Sequence, residues 1–192
     1  MNPSDYFDDL WAHEGCVPWM YCDSRGFVTV GVGNLVSSPE HAAGMPFVHH
    51  DDGPATPEEK ATGWTQVQAV YDARKSAQFY SVISDLRLTQ DFIRKLVTTR
   101  LAGEFLPGIV KLCRAFETFP LPSRRALVDM AYNLGVAGLA RFPHMLAACN
   151  AGDWAEAAHE CHRSTCRDMR NAWTMQMFVD AAAVTPTPES LA

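Results

Sequence analysis

The sequence lacks any apolar run that approaches the roughly 18 residues of a membrane-spanning helix. Its first residues, MNPSDYFDDLW, contain neither a basic segment nor an apolar one, so we expect no secretory signal there. It also lacks an excess of positive charge, since the net charge is −6. A net negative charge disfavours non-specific electrostatic binding to nucleic acid or to anionic membranes. We therefore expect neither a nucleic-acid partner nor membrane insertion.

What the sequence does have is the composition of an ordinary globular protein. Of its 192 residues, 47% are hydrophobic and 20% are charged. No internal repeat is visible, and this length fits one domain with a proper core. We predict a single domain over residues 1–184 and a disordered tail over 185–192, where the sequence reads TPTPESLA.

Six cysteines are present, and none forms a CxxC pair. Isolated cysteines in helical patterns are more often small core residues, so a bridged and an unbridged state both stay open. The bridge we favour is Cys16–Cys22, with Cys161–Cys166 the other local pair. HECHRSTC (159–166) and HHDD (49–52) contain metal-ligand residue types. Their spacing does not match a zinc site, and we expect no metal at either.

The N-terminal region predicts a helix followed by a hairpin. Ser4 is a good N-cap and Gly15 a good stop, which predicts a helix that ends at Glu14. WMYC then predicts a short strand, and DSRG has the residues of a tight turn. In FVTVGVG three valines alternate with Thr29 and glycines, which predicts a strand with a valine face in the core. Glycines in a strand often mark close approach by a ligand or another chain segment.

The rest of the chain predicts mostly helices. Residues 37–63 are rich in proline, glycine, histidine and acids without a clear period, so we interpret them as a mobile loop or flap. A helix is predicted over 65–86. Further helices are predicted to begin at Thr89, Pro107, Ser123 and Asp153, the third of them ending at Gly135. The predicted fold class is α+β, mostly α, with a small N-terminal β-hairpin lobe and a larger helical lobe.

Glu14, Asp23 and Thr29 are the candidates for chemistry. Two carboxylates on separate elements, beside glycines that leave space, suit acid–base work or glycoside cleavage. Glu14 would sit at the negative end of a helix dipole and near Trp11 or Trp19, which favours the protonated form of an acid that donates its proton. Asp23, in a polar turn, should stay ionised, and Thr29 could position a water. Taken singly, either carboxylate is more often a plain turn residue or helix end.

The spacing E-G-x7-D-x2-G-x2-T-x-G-x-G, from Glu14 to Gly33, resembles the phage lysozymes of the T-four type, glycoside hydrolase family twenty-four. A second segment, SRRALVDMAYNLGVAGLARFPHMLAACNAGDWAEAAHE, resembles that family's central helix and the helices after it. The resemblance covers residues 4–36 and 88–162. The family usually has histidine where this chain has Asn34.

The resemblance implies a lysozyme-like fold with a cleft between two lobes, and a muramidase activity without cofactor. Such an enzyme cuts the β-1,4 bond between N-acetylmuramic acid and N-acetylglucosamine in peptidoglycan. By position, Glu14 would be the general acid, Asp23 the base or electrostatic stabiliser, and Thr29 the residue that holds the attacking water. The residues implied to line the glycan cleft are Leu35, Tyr132 and Asn133.

The implied partner is therefore the glycan strand of peptidoglycan, met in the periplasm by a protein that we expect to be a monomer. The acidic composition and the 37–86 segment, which is longer than in short phage enzymes, fit a delivered antibacterial effector as readily as an endolysin. An effector would imply an immunity protein or a secretion-machine carrier as a further partner. Two other hypotheses stay open: a non-catalytic lysozyme-like module that binds glycan or serves as structure, and a metal-dependent hydrolase that uses the histidine and cysteine clusters.

Overall fold

The computed structural model describes residues 2–184. The fold is 63% helical and has a three-stranded antiparallel sheet, which confirms the predicted α+β class with a helical majority. None of the helices within residues 2–184 is both long and apolar enough to cross a membrane. The disordered tail predicted for 185–192 lies outside the described residues.

The α-helices of the described chain are, in sequence order, α1 (Phe7–Glu14), α2 (Pro39–Gly44), α3 (Pro57–Ala69), α4 (Gln90–Arg100), α5 (Leu106–Leu112), α6 (Leu121–Leu139), α7 (Pro143–Ala151), α8 (Trp154–Glu160) and α9 (Asp168–Val184). Short 3-10 helices cover Pro3–Tyr6, Ala77–Val82 and Phe116–Thr118. A π-helical turn, Leu101–Phe105, joins α4 to α5. The strands are β1 (Val17–Cys22), β2 (Val28–Gly31) and β3 (Asn34–Leu35).

The described residues divide into two compact units. The first covers residues 14–98 and contains the sheet, α2, α3 and most of α4. The second combines the residues up to His13 with those from Thr99 onward, and it is helical. The first unit is thus richer in helix than the β-hairpin lobe that the sequence suggested. The single domain over 1–184 stays a prediction.

The hairpin forms as its turn residues dictate. The amide of Gly26 donates to the carbonyl of Asp23 (3.0 Å), and the Asp23 amide donates to the Phe27 carbonyl (2.9 Å). Gly26 has φ +86°, a conformation that glycine adopts without strain. The sheet order is β1-β2-β3. The valine face is buried as predicted, with Val28, Val30 and Val32 at most 1% exposed.

Residues 37–63 contain the whole of α2 and the first half of α3, both capped, so the predicted loop or flap is wrong. Ser38 caps α2, and Thr56 with Glu59 forms a capping box that opens α3. Between them, Val48 bridges to Pro54 and Arg87. The sequence pattern hid these helices because they bury few side chains: α3 buries just Gly63 and Val67. The hydrophobic periodicity of these helices is therefore weak, whereas their N-terminal capping residues are recognisable in the sequence.

The helix predicted over 65–86 is wrong beyond Ala69, where α3 ends. The Asp72 carboxylate accepts from the amide of Arg74 (3.0 Å), a side-chain-to-backbone bond that favours a turn over a helix. The chain then forms the Ala77–Val82 3-10 helix, which packs against β1. There the indole of Trp19 donates to the Ala77 carbonyl (2.9 Å).

The other predicted helix starts lie close to the observed ones. The hydroxyl of Thr89 accepts from the Phe92 amide (3.3 Å) at α4, and Asp153 caps α8 through the Glu156 amide (3.0 Å). Pro107 is the second residue of α5. The cap at Ser123 is wrong: α6 begins two residues earlier.

The central helix of the second unit is α6, which packs against α9 and α5. Gly135, with φ +74° and ψ 162°, breaks it as predicted, and helical turns resume as far as Leu139. The hydroxyl of Ser123 donates to the Pro120 carbonyl (2.8 Å) instead of capping. Leu134 is half-buried. The other predicted core residues of α6 are buried: Leu127, Val128, Met130 and Ala131.

Candidate functional site

Three residues form a row across the sheet of the first unit. Tyr21 on β1 pairs with Thr29 on β2, and Thr29 pairs in turn with Leu35 on β3. Side chains of directly paired residues lie on one face of a sheet, about 4.5–5.5 Å apart at Cβ. Thr29 is buried, 5% exposed, whereas Leu35 is 53% exposed on the short edge strand. Two of the predicted site residues, Thr29 and Leu35, are therefore neighbours.

The Thr29 hydroxyl uses its proton within the protein, which leaves it as an acceptor for any further hydrogen bond. Its Oγ1 donates to the carbonyl of Phe27 at 3.0 Å. A hydroxyl has one proton to donate and two lone pairs to accept with. With that proton committed, Thr29 can hold a water only by accepting a hydrogen bond from it, so the water keeps a lone pair for other use.

Asp23 closes the turn between β1 and β2. Its Oδ1 accepts from the amides of Arg25 and Phe27, both at 2.9 Å. The Nε of Arg25 lies 3.7 Å from Oδ2, in an ion pair whose arginine is mostly exposed. These contacts are those of a plain turn residue. Within residues 2–184, the backbone amides that contact the Asp23 carboxylate both bind Oδ1, and none binds Oδ2.

Glu14 is the last residue of α1, as the sequence predicted, but its side chain is exposed and does not lie in the apolar surroundings expected from Trp11 or Trp19. Gly15 follows it with φ +74°, and a Cβ built there would meet no heavy atom within 4 Å. The backbone conformation alone therefore favours glycine at this position.

Tyr21 links the two acids, although the sequence reasoning did not single it out. Burial raises the pKa of its phenol, and the negative charges of Asp23 and then Glu14 raise it further. Both carboxylates are thus close enough to act on one side chain. The register is set by the Asp23 amide bond to the Phe27 carbonyl: with Asp23 opposite Phe27, Cys22 lies opposite Val28 and Tyr21 opposite Thr29.

Gly31, one of the strand glycines, does mark a close approach, but the neighbour is a side chain. A Cβ on Gly31 would lie 3.0 Å from Cγ2 of Ile93, which is buried on α4. Gly31 also has φ +68°. Asn34, where the resembled family has histidine, donates to the Val30 carbonyl at 3.4 Å.

The two remaining predicted site residues, Tyr132 and Asn133, belong to the second unit. Tyr132 is half-buried, and its ring centroid lies 5.1 Å from that of Phe105. The guanidinium of Arg100 sits 5.3 Å from the Tyr132 ring centroid. These contacts match a packing role. Asn133 is exposed, and its Oδ1 accepts from Nη1 of Arg163 at 3.3 Å. Glu14, Asp23, Thr29 and Leu35 thus share one unit, and these two residues belong to the other.

A buried ionic cluster lies next to Asn133, centred on Asp129 of α6. His13 Nδ1 lies 2.8 Å from Asp129 Oδ1, Arg170 Nη2 2.7 Å from the same oxygen, and Arg163 Nη1 3.0 Å from Oδ2. Burial alone would raise the pKa of Asp129. The hydrogen bonds from His13 and Arg170, together with the two arginine charges, outweigh burial and lower the pKa to about 2. Asp129 is therefore ionised in the folded protein at neutral pH.

The cluster was missed in the sequence because its members are far apart in the chain. The one local signal was an aspartate inside the apolar face of α6, between the buried Val128 and Met130. Buried charges are paired as a rule, so such a residue predicts a cationic partner without naming it.

The six cysteines are free thiols, so the predicted Cys16–Cys22 bridge is wrong. Cys22 ends β1 and Cys16 immediately precedes it, and an extended strand at about 3.3 Å per residue separates such positions far beyond bonding range. The Cys22 thiol instead donates to the Val67 carbonyl (3.5 Å). Burial raises the pKa of Cys16 to about 11.

The segments with metal-ligand residue types are mostly engaged within the protein. His49 Nδ1 lies 2.9 Å from Asp85 Oδ2, and His50 contacts Arg87. Cys161 is buried and donates to the Ala158 carbonyl (3.2 Å). Within residues 2–184, the group whose ligand atoms come within 4.8 Å of one another is Glu156, His159 and Glu160 on α8, largely in solvent. Neither cysteine of HECHRSTC belongs to it.

No family model matches this sequence, and no curated protein matches it.

Proposed function

We propose that this protein is a muramidase that hydrolyses the β-1,4 bond between N-acetylmuramic acid and N-acetylglucosamine in peptidoglycan. The observation that supports it most is the pairing of Thr29 with Tyr21, a side chain that lies near both acids, since the charges of Asp23 and Glu14 each raise its pKa. Tyr21 is paired with Thr29, so two acids and a buried threonine hydroxyl belong to one small region of the first unit. Glycoside hydrolysis uses two carboxylates, and the threonine hydroxyl adds a group that can hold the attacking water.

In this proposal Glu14 donates a proton to the glycosidic oxygen. A leaving sugar oxygen is a poor leaving group unless it is protonated as the bond breaks, and a positioned acid supplies about 10²- to 10⁴-fold in rate. Glu14 is exposed at the end of α1 and followed by Gly15, which has no side chain to hinder a glycan strand.

Asp23 and Thr29 act on the attacking water and on the sugar that it attacks. The Oδ1 of Asp23 is held by two amides, which fixes the carboxylate and leaves Oδ2 to stabilise the positive charge on the sugar or to accept a proton from water. Thr29 accepts a second hydrogen bond from that water, since its own proton is given to Phe27. A water that donates both protons directs its lone pair at the anomeric carbon.

Leu35, Tyr132 and Asn133 are proposed to contact the glycan, Leu35 with its exposed apolar side chain and Asn133 with its carboxamide. The substrate places the action in the periplasm, as a delivered effector or a phage endolysin. An effector of this kind would have an immunity protein or a secretion-machine carrier as partner. We propose a monomer that needs no cofactor.

One observation favours the second candidate, a lysozyme-like module that binds glycan or serves as structure without cutting it. Asp23 and Thr29 both make hydrogen bonds that a hairpin needs regardless of catalysis. A module that had kept its turn for folding alone would show the same contacts.

The deciding experiment is mass spectrometry of purified peptidoglycan after digestion and borohydride reduction. A muramidase leaves N-acetylmuramic acid at the reducing end, so reduced muramic acid appears at the ends of the products. An amidase would release stem peptides, a glucosaminidase would leave N-acetylglucosamine at the end, and a binding module would release nothing. Any of these three results contradicts the proposal, and the last favours the second candidate.

A further inference from the structure

Arg163 is an unusually constrained side chain. It is 1% exposed and lies in the loop between α8 and α9. Its Nη1 donates to Asp129 (3.0 Å) and its Nη2 to the Thr174 hydroxyl (2.6 Å). Its backbone amide and Nε both contact Oδ1 of Asn171 (3.2 and 3.3 Å). A planar guanidinium held at this many points has essentially one orientation.

That orientation fixes the carboxamide of Asn133. Nη1 of Arg163 lies 3.3 Å from the Asn133 Oδ1. A guanidinium has only donors, so the group that faces it must be the amide oxygen. If the carboxamide were rotated by 180°, its NH₂ group would face the N–H donors of Arg163, and neither group would offer the other an acceptor. The chemistry therefore requires the oxygen of Asn133 inward and its NH₂ group on the other side.

The outward end of Asn133 is a donor without a partner in the described part of the chain. Asn133 is exposed, and within residues 2–184 the one hydrogen bond of its side chain is the bond that it accepts from Arg163. A fixed amide donor in solvent suits a ligand that offers a hydrogen-bond acceptor. An orientation set before binding leaves less rotamer freedom to lose, which favours affinity.

We infer that Arg163 is a positioning residue for the glycan, which it serves by holding Asn133 so that this residue offers an N–H donor to an amide carbonyl of the substrate. The inference rests on the proposed function, because it takes the ligand to be peptidoglycan. Peptidoglycan has amide carbonyls of this kind both on its N-acetyl groups and on its stem peptides. The N–H donor of Asn133 fits an amide carbonyl from either an N-acetyl group or a stem peptide.

The test is glycan binding in a Glu14→Gln parent, which removes the proposed acid and so keeps the ligand intact. The probe is a peptidoglycan tetrasaccharide, prepared with and without stem peptides. Asn133→Asp keeps the oxygen that Arg163 contacts but replaces the donor with a second acceptor. Asn2→Asp is the matched control, because it adds the same charge at an exposed residue whose Oδ1 accepts from Ser4.

We expect Asn133→Asp to weaken binding about tenfold, the upper range for one hydrogen bond, with no loss of thermal stability. Asn2→Asp should bind like the parent. A loss with both probes assigns the contact to an N-acetyl carbonyl, and a loss with the peptide-bearing probe alone assigns it to a stem peptide. Unchanged binding by Asn133→Asp overturns the inference and leaves the muramidase proposal standing. A parent that binds neither probe overturns both.

The positioning role has its own readout. In the active enzyme, Arg163→Lys should raise KM about threefold or more while kcat changes little, because Asn133 is not one of the reacting groups. The side-chain amide of Asn133 in the unsubstituted protein should be as rigid by ¹⁵N heteronuclear NOE as the backbone of α6. This second measurement decides the question even if Arg163→Lys fails to fold. A freely mobile Asn133 amide would overturn the positioning role.

Discussion

Tyr21 and Thr29 are directly paired across β1 and β2, and Thr29 lies between Tyr21 and Leu35 in the sheet. The pairing places a half-buried phenol beside the hydroxyl that we propose holds the attacking water. It also gives the region an internal reporter, because the pKa of Tyr21 responds to both candidate acids. The arrangement of the site can therefore be tested without any assay of activity.

The phenol of Tyr21 should titrate above the ordinary tyrosine value of 10.0. Asp23→Asn removes one negative charge while its Oδ1 still accepts from the two turn amides, so the Tyr21 pKa should fall toward the ordinary value. Glu14→Gln should act in the same direction and more weakly. Titration followed by NMR of ¹³Cζ-labelled tyrosine resolves the individual residues. Equal Tyr21 pKa values in all three proteins would show that the acids are not near it.

Glu14→Gln should reduce the lysis of purified cell walls by about 10²- to 10⁴-fold, the usual contribution of a positioned acid. The substitution keeps the size and hydrogen-bonding groups of the side chain but removes the transferable proton. Its thermal stability should match or exceed that of the unsubstituted protein, since an acid at a helix C-terminus opposes the dipole. Turbidity of a peptidoglycan suspension and a melting curve measure the two effects.

The control for Glu14 is Glu40→Gln. Glu40 is an exposed acid in the first turn of α2, and not in a loop as the sequence suggested. Its replacement should leave lysis unchanged. The proposed mechanism is wrong if the Glu14 variant clears peptidoglycan at a rate close to that of the Glu40 variant.

Asp129 should make the protein lose stability in acid. Its folded pKa is lowered to about 2 from an ordinary value of 3.8, so the stabilisation is present above the ordinary value and lost as pH falls through about 2. This difference corresponds to about 2 kcal/mol of unfolding free energy. Urea unfolding at pH values from 6 down to 2 measures it. Asp91→Asn, at an exposed acid on α4, should keep the same pH dependence.

Asp129→Asn should be destabilising at neutral pH by about 3–5 kcal/mol, because it leaves the buried Arg163 without its counter-charge. Its stability should also depend less on pH between 4 and 2 than that of the unsubstituted protein. An equal pH dependence in both proteins would contradict the assigned role of Asp129.

The thiols should react in an order that their burial sets. Cys16 and Cys166 are half-buried, and the other four cysteines are buried. Alkylation of the native protein at pH 8 should modify Cys166 first. Cys16 should react slowly because burial holds its pKa near 11, and the thiolate is the reactive form. After unfolding without reductant, mass spectrometry should find six alkylated cysteines, and a Cys16–Cys22 disulfide peptide would contradict this.

Thr56→Ala should lower the unfolding free energy by about 1 kcal/mol, since Thr56 supplies one half of the capping box of α3. The matched control is Thr62→Ala, an exposed threonine within the same helix, where alanine is the better helix former. Thermal unfolding of both variants separates loss of the cap from loss of a threonine. Equal stability of the two variants would contradict the role of the cap.

Local chemistry explains which parts of the fold were predictable. The hairpin turn at Asp23–Gly26 and the cap at Thr89 depend on residues within four positions of each other, and both were predicted correctly. α2 and the start of α3 were missed because hydrophobic periodicity was given more weight than capping residues.

The site shows the same limit. Thr29 and Leu35 become neighbours through a register that a turn of known length determines. Arg163 and Asp129 lie 34 positions apart, and nothing local in the sequence names the partner of a buried aspartate. Such a pairing depends on how α6 packs with the loop before α9, and that packing is set by the whole helical unit.

The composition of the helical unit, which joins the residues up to His13 to those from Thr99 onward, has a consequence for biosynthesis. A ribosome makes residues 14–98 as one contiguous piece, complete before translation is finished. α1 is made first, yet Arg125, the partner of its Asp9, is made 116 positions later. Its residues Phe7 and Leu10 are buried in the folded protein. Until Arg125 is made, α1 cannot form the Asp9–Arg125 ion pair that attaches it to α6, so the helical unit completes its folding only after residues 14–98 have been made.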